Sequence, residues 1–318
     1  MKNQTARLIE NMKKQTIGVE VEMNSITRQT AAKVAADFFG TGRYEYTASR
    51  NGYRTWSAWD SEGREWKFSR DASIDGPEEE KCELVTPILH YQDIELLQGL
   101  VRALRKAGAK SDFTRTCGVH VHVGASGHTA RSLRNLVNMM ASHQWLLWDS
   151  LKIASARSYY CQMVDRNFLK QLNNKKPETM AELADIWYKS QDASYDRNCH
   201  YNSTRYHMLN LHATFTKGTV EFRMFQFYPA DAEGKKKNGI HAGRLKAYIQ
   251  LCLAMNEFAK ESRKATCKPV QQDNPRFAMK SWLFRLGLVG KEFYTARRVF
   301  LDWLEGDVAY RHPEERAA

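Results

Sequence analysis

The chain is 318 residues long, has a formal net charge of +12 and is 42% hydrophobic, so it can bury a core and is not a disordered chain. No apolar run approaches the roughly 18 residues that a membrane-spanning helix needs, and the polar N-terminal segment lacks the apolar core of a signal peptide. The six cysteines form no CxxC pair, which argues against a zinc knuckle or a disulfide frame. We therefore expect a soluble, cytoplasmic protein without a membrane partner.

Alternation of apolar and polar residues predicts a series of short β-strands. Gly, Ser, Thr and Tyr are concentrated between residues 37 and 63, which predicts a hairpin or an excursion there. The pair Lys217-Gly218 is expected to join the last two strands as a tight hairpin. The predicted strands cover residues 16–23, 65–69, 82–85, 118–124, 206–215 and 219–227.

Apolar residues at helical spacing predict long helices between and after these strands, and Gly108 is a good C-terminal stop for one of them. Helices inserted between strands with antiparallel neighbours favour an α+β fold over a doubly wound parallel fold. The predicted helices cover residues 91–107, 129–151, 178–189, 242–260, 275–286 and 292–304.

Charged side chains share one face of the first predicted strand. Glu20 and Glu22 alternate with Val19, Val21 and Met23, so both carboxylates point the same way. Two adjacent carboxylates repel each other unless water or a cation lies between them. A solvent-facing edge strand would show the same pattern, so this strand alone does not define a site.

Two histidines repeat the pattern on a later strand. His120 and His122 alternate with valines between Gly118 and Gly124, so both imidazoles lie on one face. Two imidazoles at this spacing can approach a single metal ion or a polyphosphate. A single histidine here would more simply be structural, but two inside an apolar strand favour a functional role.

Three further charged residues belong to predicted strands. Glu221 and Arg223 share a face and would place a metal-binding carboxylate beside a guanidinium for phosphate oxygens, although an ordinary salt bridge has the same pattern. Glu83 lies in an otherwise apolar strand that ends before Pro87.

Taken together, four predicted strands carry one set of acids, histidines and an arginine. Mg²⁺ prefers carboxylate oxygens and commonly binds through a few protein groups plus substrate phosphates. Metal ions beside an arginine are what phosphoryl transfer from ATP requires. The P-loop, GxGxxG, GxSxG and HExxH patterns are absent from the sequence, so a nucleotide and metal site on a sheet is the remaining prediction.

In this order, the motifs resemble those of the amidoligase family, a branch of the carboxylate–amine ligases related in fold to glutamine synthetase and glutamate–cysteine ligase. The resemblance implies an α+β fold: a curved, mostly antiparallel sheet of about six strands with helices packed on one side. Residues 1–240 would form the catalytic domain, and residues 241–318 a helical extension packed on it. The motifs stand here as Glu20–Glu22, Asp71–Ile74, Glu83–Pro87, Cys117–Gly124, Asn210–Leu211 and Gly218–Arg223.

The resemblance also implies roles for individual residues. Arg223, Glu221 and Asp71 would be catalytic. ATP would be bound by Arg223, His120, His122, Arg205 and Asn210. Mg²⁺ or Mn²⁺ would be bound by Glu20, Glu22, Glu83, His120, His122 and Glu221.

The implied reaction is ATP-dependent joining of a carboxylate to an amine through an acyl phosphate, with an amino acid, a peptide or a modified polymer as substrate. A phosphotransferase of the guanidino-kinase type shares this fold type and is an alternative. A second alternative is a non-catalytic, basic nucleic-acid-binding protein. Residues 235–318 contain 17 Lys and Arg against 9 Asp and Glu. This excess is most simply a solvated surface, but it would also suit an acidic polymer partner.

Overall fold

The computed structural model describes residues 2–47, 52–194, 197–199, 201–230, 234, 236–270 and 273–312. Helices form wherever an apolar stripe can pack onto the sheet or onto another helix. Those in the described residues are α1 (Lys2–Lys13), α2 (Arg28–Phe39), α3 (Ile94–Lys106), α4 (Ala130–Leu151), α5 (Arg166–Lys175), α6 (Met180–Lys189), α7 (His212–Lys217), α8 (Ala242–Glu261), α9 (Pro275–Arg285) and α10 (Tyr294–Leu301).

The strands of the main sheet are β1 (Ile17–Met23), β2 (Tyr44–Tyr46), β3 (Trp56–Trp59), β4 (Glu65–Ser69), β5 (Cys82–Val85), β6 (Val119–Gly124), β7 (Leu209–Asn210) and β8 (Thr219–Phe225). Their order is β2-β3-β4-β5-β1-β6-β8-β7, and neighbouring strands are antiparallel. Strands β9 (Tyr228–Ala230) and β10 (Lys236–Gly239) form a separate antiparallel pair. The α+β prediction is confirmed, but the sheet has eight strands and not about six.

The additional strands come from the segment between residues 37 and 63, where the predicted hairpin is β2 paired with β3. Residues 48–51, between these two strands, lie outside the described residues. Both strands are short and lack a long alternating pattern, which is why the sequence indicated a hairpin or an excursion without strand bounds. Helices α1, α2 and α5 were also missed: α1 and α5 have polar compositions, and α2 buries mostly alanines.

The strand predicted over residues 206–215 is confirmed only at Leu209–Asn210 and is wrong elsewhere. Strand β7 has only two residues, and the chain then turns into α7, where the side-chain oxygen of Asn210 accepts a hydrogen bond from the Ala213 N–H. Gly218 ends this helix with a φ of 70°, a left-handed conformation that glycine adopts without steric cost. Lys217-Gly218 therefore joins a helix to β8, and the expected tight hairpin is not formed.

Helix α8 is the centre of the helical layer and contacts α1, α3, α4, α10 and strand β6. Valines on the apolar faces of β1 and β6, such as Val19, Val21 and Val121, are fully or almost fully buried in the shared core. Burial of this face turns the opposite face of the same strands, with its acids and histidines, away from the helices. The boundary between a catalytic domain (residues 1–240) and a helical extension (residues 241–318) remains a prediction.

The predicted helix over residues 292–304 is shorter in the structure, where α10 spans Tyr294–Leu301 after a 3₁₀ turn. Across the described part of the chain, every helix is too short or too polar to span a bilayer.

Tyr248 links α8 to the sheet. Its ring stacks on Phe225 of β8, with centroids 4.5 Å apart, and its hydroxyl donates to the main-chain carbonyl of Gln226 at 2.7 Å. We expect Tyr248→Ala to lower the free energy of unfolding by about 3–5 kcal/mol, because it leaves a cavity between helix and sheet. Tyr248→Phe should cost only about 1 kcal/mol, since it loses one hydrogen bond. Urea denaturation measures both; equal losses would contradict this packing role.

Candidate active site

Cross-strand register brings the charged residues of four central strands together. Glu22 of β1 lies opposite Glu83 of β5, and Glu20 lies opposite His120 of β6. His122 lies opposite Glu221 of β8. Directly opposed residues project from the same face of a sheet with neighbouring Cβ atoms. The antiparallel pairing therefore converts separate sequence motifs into one continuous cluster.

The two histidines bind the carboxylates of Glu20 and Glu221. Nδ1 of His120 lies 3.0 Å from Oε2 of Glu20, and Nε2 of His122 lies 3.3 Å from Oε1 of the same residue. Both imidazoles are 3.9 Å from Oε1 of Glu221. The other ring nitrogen of His122 is 3.0 Å from the hydroxyl oxygen of Thr219, which fixes the ring orientation.

These contacts set the charges of the cluster. Burial raises the pKa of Glu20, but the charge of His122 and hydrogen bonds with both histidines outweigh it, so its pKa lies well below its ordinary value. Burial lowers the pKa of His122, but the charges of Glu221 and Glu20 outweigh it and raise that pKa. The carboxylate of Glu20 and the imidazole of His122 therefore stabilise each other's charged forms.

Glu221 is held on both oxygens. Nη1 of Arg223 donates to Oε1, and the side-chain amide of Asn210 donates to Oε2 at 2.7 Å. Burial raises the pKa of Glu221, but the charges of Arg223 and His122 bring it down to about 2. Glu221 is thus a fixed anion, and Arg223 is a guanidinium whose orientation is set by it.

Glu83 and Asp71, on the β5 side of the cluster, have no cationic partner like the one that Arg223 provides for Glu221. Burial, followed by the charges of Glu20, Asp71 and Glu22, raises the pKa of Glu83 well above its ordinary value. Asp71 follows β4, and one of its oxygens accepts from the main-chain N–H and the hydroxyl of Ser73, each at 2.7 Å. This part of the cluster therefore carries uncompensated negative charge.

Gly118, at the start of β6, lets a buried arginine approach the cluster. Its N–H donates to Oε2 of Glu22 at 2.5 Å. A Cβ at this position would lie 2.3 Å from Nη2 of Arg157. Arg157 is 4% exposed and donates to the main-chain carbonyls of Phe225 and Arg223. Glycine is therefore required here by close packing.

The donors fit a divalent cation. Three groups of side chains have potential ligand atoms within 4.8 Å of one another: Glu20, Glu83 and His120; Glu20, His122 and Glu221; Glu22, Asp71 and Glu83. Ligands of one Mg²⁺ at about 2.1 Å lie at most about 4.2 Å apart, so only small adjustments are needed. Nε of Arg223 is buried without a hydrogen bond among the described residues, so this donor is available to a ligand.

Most of the predicted site residues line one cavity of about 670 Å³ on the polar face of the sheet. The structure brings together Glu20, Glu22, Asp71, Glu83, His120, Arg205, Asn210, Glu221 and Arg223. His122 contacts the same carboxylates but does not belong to the described lining. Their roles in metal binding, ATP binding and catalysis remain predictions.

Sequence reasoning missed an aromatic part of the lining. Tyr53, Tyr160, Tyr201 and Tyr206 face the cavity together with Lys217. All five belong to loops or to the end of the short helix α7, where no periodic pattern marks a face. The only signal was the neighbouring Arg205, which was assigned to the site through the family motif.

The fold and the site thus define an α+β protein with a charged cavity on one face of an antiparallel sheet. The chain belongs to the amidoligase family: the family described as "Putative amidoligase enzyme" matches residues 13–256. This confirms the resemblance drawn from the motifs.

Among solved structures, the chain is similar to a bifunctional glutathione synthetase from Pasteurella multocida, with 12% sequence identity and a TM-score of 0.43. The similarity covers 95% of this chain and 49% of that protein, so the chain spans about half of its length. No curated protein matches the chain.

We expect Gly118→Ala to lower the free energy of unfolding by about 1–3 kcal/mol, because the added methyl group must displace the buried guanidinium of Arg157. Urea denaturation of Gly118→Ala, Arg157→Ala and the double variant provides the measurement. The double variant should lose less than the sum of the single losses, since removing Arg157 makes room for the methyl group. Strict additivity would show that the clash is not with Arg157.

Proposed function

We propose that the protein is an ATP-dependent, metal-dependent amidoligase that joins a carboxylate to an amine through an acyl phosphate. The observation that carries the proposal is the convergence of four glutamates, two histidines and Arg223 at one cavity of a chain that belongs to the amidoligase family. The metal is Mg²⁺ or Mn²⁺, because both accept carboxylate oxygens together with phosphates.

The reaction brings two anions together. An oxygen of the substrate carboxylate attacks the γ-phosphorus of ATP, and the bond to the β,γ-bridging oxygen breaks to release ADP. Metal ions, when bound, neutralise the phosphate oxygens. Glu20, Glu22, Glu83 and Glu221 would hold them, with His120 and His122. Arg223, oriented by Glu221, donates to the transferring phosphoryl group, where charge develops.

In the second step the amine nitrogen attacks the acyl carbon, and the carbon–oxygen bond to the phosphate breaks. The nitrogen must lose a proton as the amide forms. Asp71 lines the cavity and is fixed by Ser73, which makes it one acceptor, and a histidine of the cluster is the other. Asn210 contributes indirectly, because its amide orients Glu221.

The substrates are proposed by chemical class: an amino acid, a peptide or a modified polymer supplies the amine or the carboxylate. The basic excess over residues 235–318 would favour an acidic polymer. We propose a cytoplasmic location, where ATP and Mg²⁺ are available.

ADP release over pools of amino acids, polyamines and small peptides tests the proposal. We expect release to require a divalent metal, a carboxylate and an amine. Glu22→Gln and Glu221→Gln should each lower it by about 100-fold or more, because each removes a charge that the metal and phosphate site needs. Glu95→Gln, at an exposed position of α3, is the matched control and should be fully active.

Circular dichroism of the two glutamine variants must show an intact fold. Near-wild-type turnover in either variant would refute the metal assignment. If the wild-type protein binds no ATP at all, the ligase proposal fails. Salt-dependent binding to duplex DNA that survives both substitutions would then favour the nucleic-acid-binding alternative.

Hydroxylamine distinguishes the ligase from a phosphotransferase of the guanidino-kinase type. Only an activated carboxyl group such as an acyl phosphate gives a hydroxamate with hydroxylamine. We expect hydroxamate to accumulate when the amine is omitted and the carboxylate substrate and ATP are present. A stable phosphorylated product without hydroxamate would support the phosphotransferase.

Arg223→Lys should lower kcat by about 100-fold or more while metal affinity stays close to wild type. The substitution keeps the positive charge beside Glu221 but removes the planar fork that can hold two oxygens at once. Steady-state kinetics and metal titration measure the two effects separately. A loss of metal affinity equal to the loss of kcat would show that Arg223 only balances charge.

A further inference from the structure

The cavity is divided by charge along its length. One end contains Glu22, Asp71 and Glu83, and is called here the carboxylate end. The opposite side contains a tyrosine–arginine wall, defined as Tyr160, Tyr201, Arg205 and Tyr206. The metal and phosphate cluster around Glu20 and Glu221 lies between them in the strand order.

Among the residues described, neither Asp71 nor Glu83 of the carboxylate end has a cationic side chain within ion-pair distance, although the charge of Arg223 acts on Glu83. Arg70 lines this end, but its guanidinium is paired with Glu78 on the other side of the loop. The end therefore suits the divalent cation for which Glu22, Asp71 and Glu83 are candidate ligands, and not the phosphates of a nucleotide.

The tyrosine–arginine wall, in contrast, is positively charged and aromatic. The guanidinium of Arg205 lies 4.8 Å from the ring centroids of both Tyr201 and Tyr206, and its Nη2 donates to the Tyr206 hydroxyl at 2.9 Å. The ring of Tyr206 also packs edge-on against Tyr160, with centroids 5.4 Å apart. These contacts fix a positive charge and several aromatic faces in one place.

The charges at this wall are not neutralised by the protein. Within the described residues, no acidic side chain lies within ion-pair distance of Arg205 or of Lys217 nearby on the lining. Nε of Arg205 is buried and makes no hydrogen bond there. An anionic ligand would satisfy both the charge and the unpaired donor.

The wall is anchored next to the phosphate-binding side of the cluster. The side chain of Asn210 binds Glu221, and the N–H of Arg223 donates to the carbonyl of Met208 at 3.0 Å. The loop that carries Arg205 and Tyr206 is thereby tied to β8. A ligand on the wall can reach Arg223 without crossing the carboxylate end.

We infer that the tyrosine–arginine wall is the nucleotide end of the cavity. The inference rests on the proposed function. The purine base stacks on Tyr206 and its neighbours, and the phosphate chain passes Arg205 and Lys217 towards Arg223. A triphosphate needs several cations, and the base needs an aromatic face; this wall supplies both.

Calorimetric binding of ATP and of inorganic tripolyphosphate, both with Mg²⁺, tests the orientation. Tyr206→Leu should weaken ATP binding by about 10-fold, because it removes a stacking surface. It should weaken tripolyphosphate binding clearly less, because Arg205 keeps its charge and loses only its contacts with Tyr206. Tyr206→Phe keeps the ring and should retain most of the ATP affinity. Arg205→Ala should weaken both ligands, because it removes a charge that contacts phosphate.

Two variants provide matched controls. Tyr53→Leu removes a tyrosine at the other end of the same cavity, where the Tyr53 carbonyl accepts from the N–H of Arg70, and it should leave ATP affinity unchanged. Arg298→Ala removes an exposed arginine of α10 and should be neutral for both ligands.

An unchanged ATP affinity in Tyr206→Leu, or a larger loss in Tyr53→Leu, would overturn the inference. If wild-type binding of ATP depends on Glu221 but not on Tyr206, only the orientation is wrong and the ligase proposal stands. If the wild-type protein binds neither ATP nor tripolyphosphate, the proposed function and this inference both fail.

Discussion

The charged cavity depends on holding four carboxylates on one face of an antiparallel sheet despite their mutual repulsion. Two like charges about 4 Å apart at an effective dielectric constant of about 20 cost about 4 kcal/mol, so the cluster needs counter-charges. Arg223 supplies one beside Glu221, and the raised pKa of His122 favours a second between Glu20 and Glu221. Glu83 has no ion-pair partner among the described residues, and burial together with the neighbouring carboxylates raises its pKa. A cation at that end would complete the charge balance.

Burial of the apolar face of the same strands keeps the carboxylates on the opposite face. Val19, Val21 and Val121 are buried in the core that α8 shares, and successive residues alternate between the two faces. A shift of one residue in the pairing of β1 or β6 would move the charged side chains into that core. The register that creates the cluster is therefore enforced by hydrophobic burial and not by the charges themselves.

The sequence predicted the cluster better than its surroundings, for a physical reason. Glu20 with Glu22, and His120 with His122, lie on strands whose strict alternation assigns each side chain to a face. Residues 206–215 are equally rich in β-forming types, but the Asn210 amide and the left-handed Gly218 favour a short helix there. The cavity tyrosines lie in loops, where position depends on tertiary contacts and not on a repeating pattern. The two strands at the edge beyond β4 were predicted only as a hairpin or an excursion, without bounds, because each is too short to show alternation.

The central acids and histidines of the cavity lie on strands, whereas its aromatic walls lie on connecting segments. Glu20, His120 and Glu221 belong to the rigid centre of the sheet, whereas Tyr160, Tyr201 and Tyr206 belong to connecting segments. Connecting segments tolerate replacement, insertion and deletion more readily than central strands do. Related chains can therefore acquire new substrates by remodelling these segments while inheriting the same chemistry unchanged, so that one ancestral scaffold can give rise to many specificities.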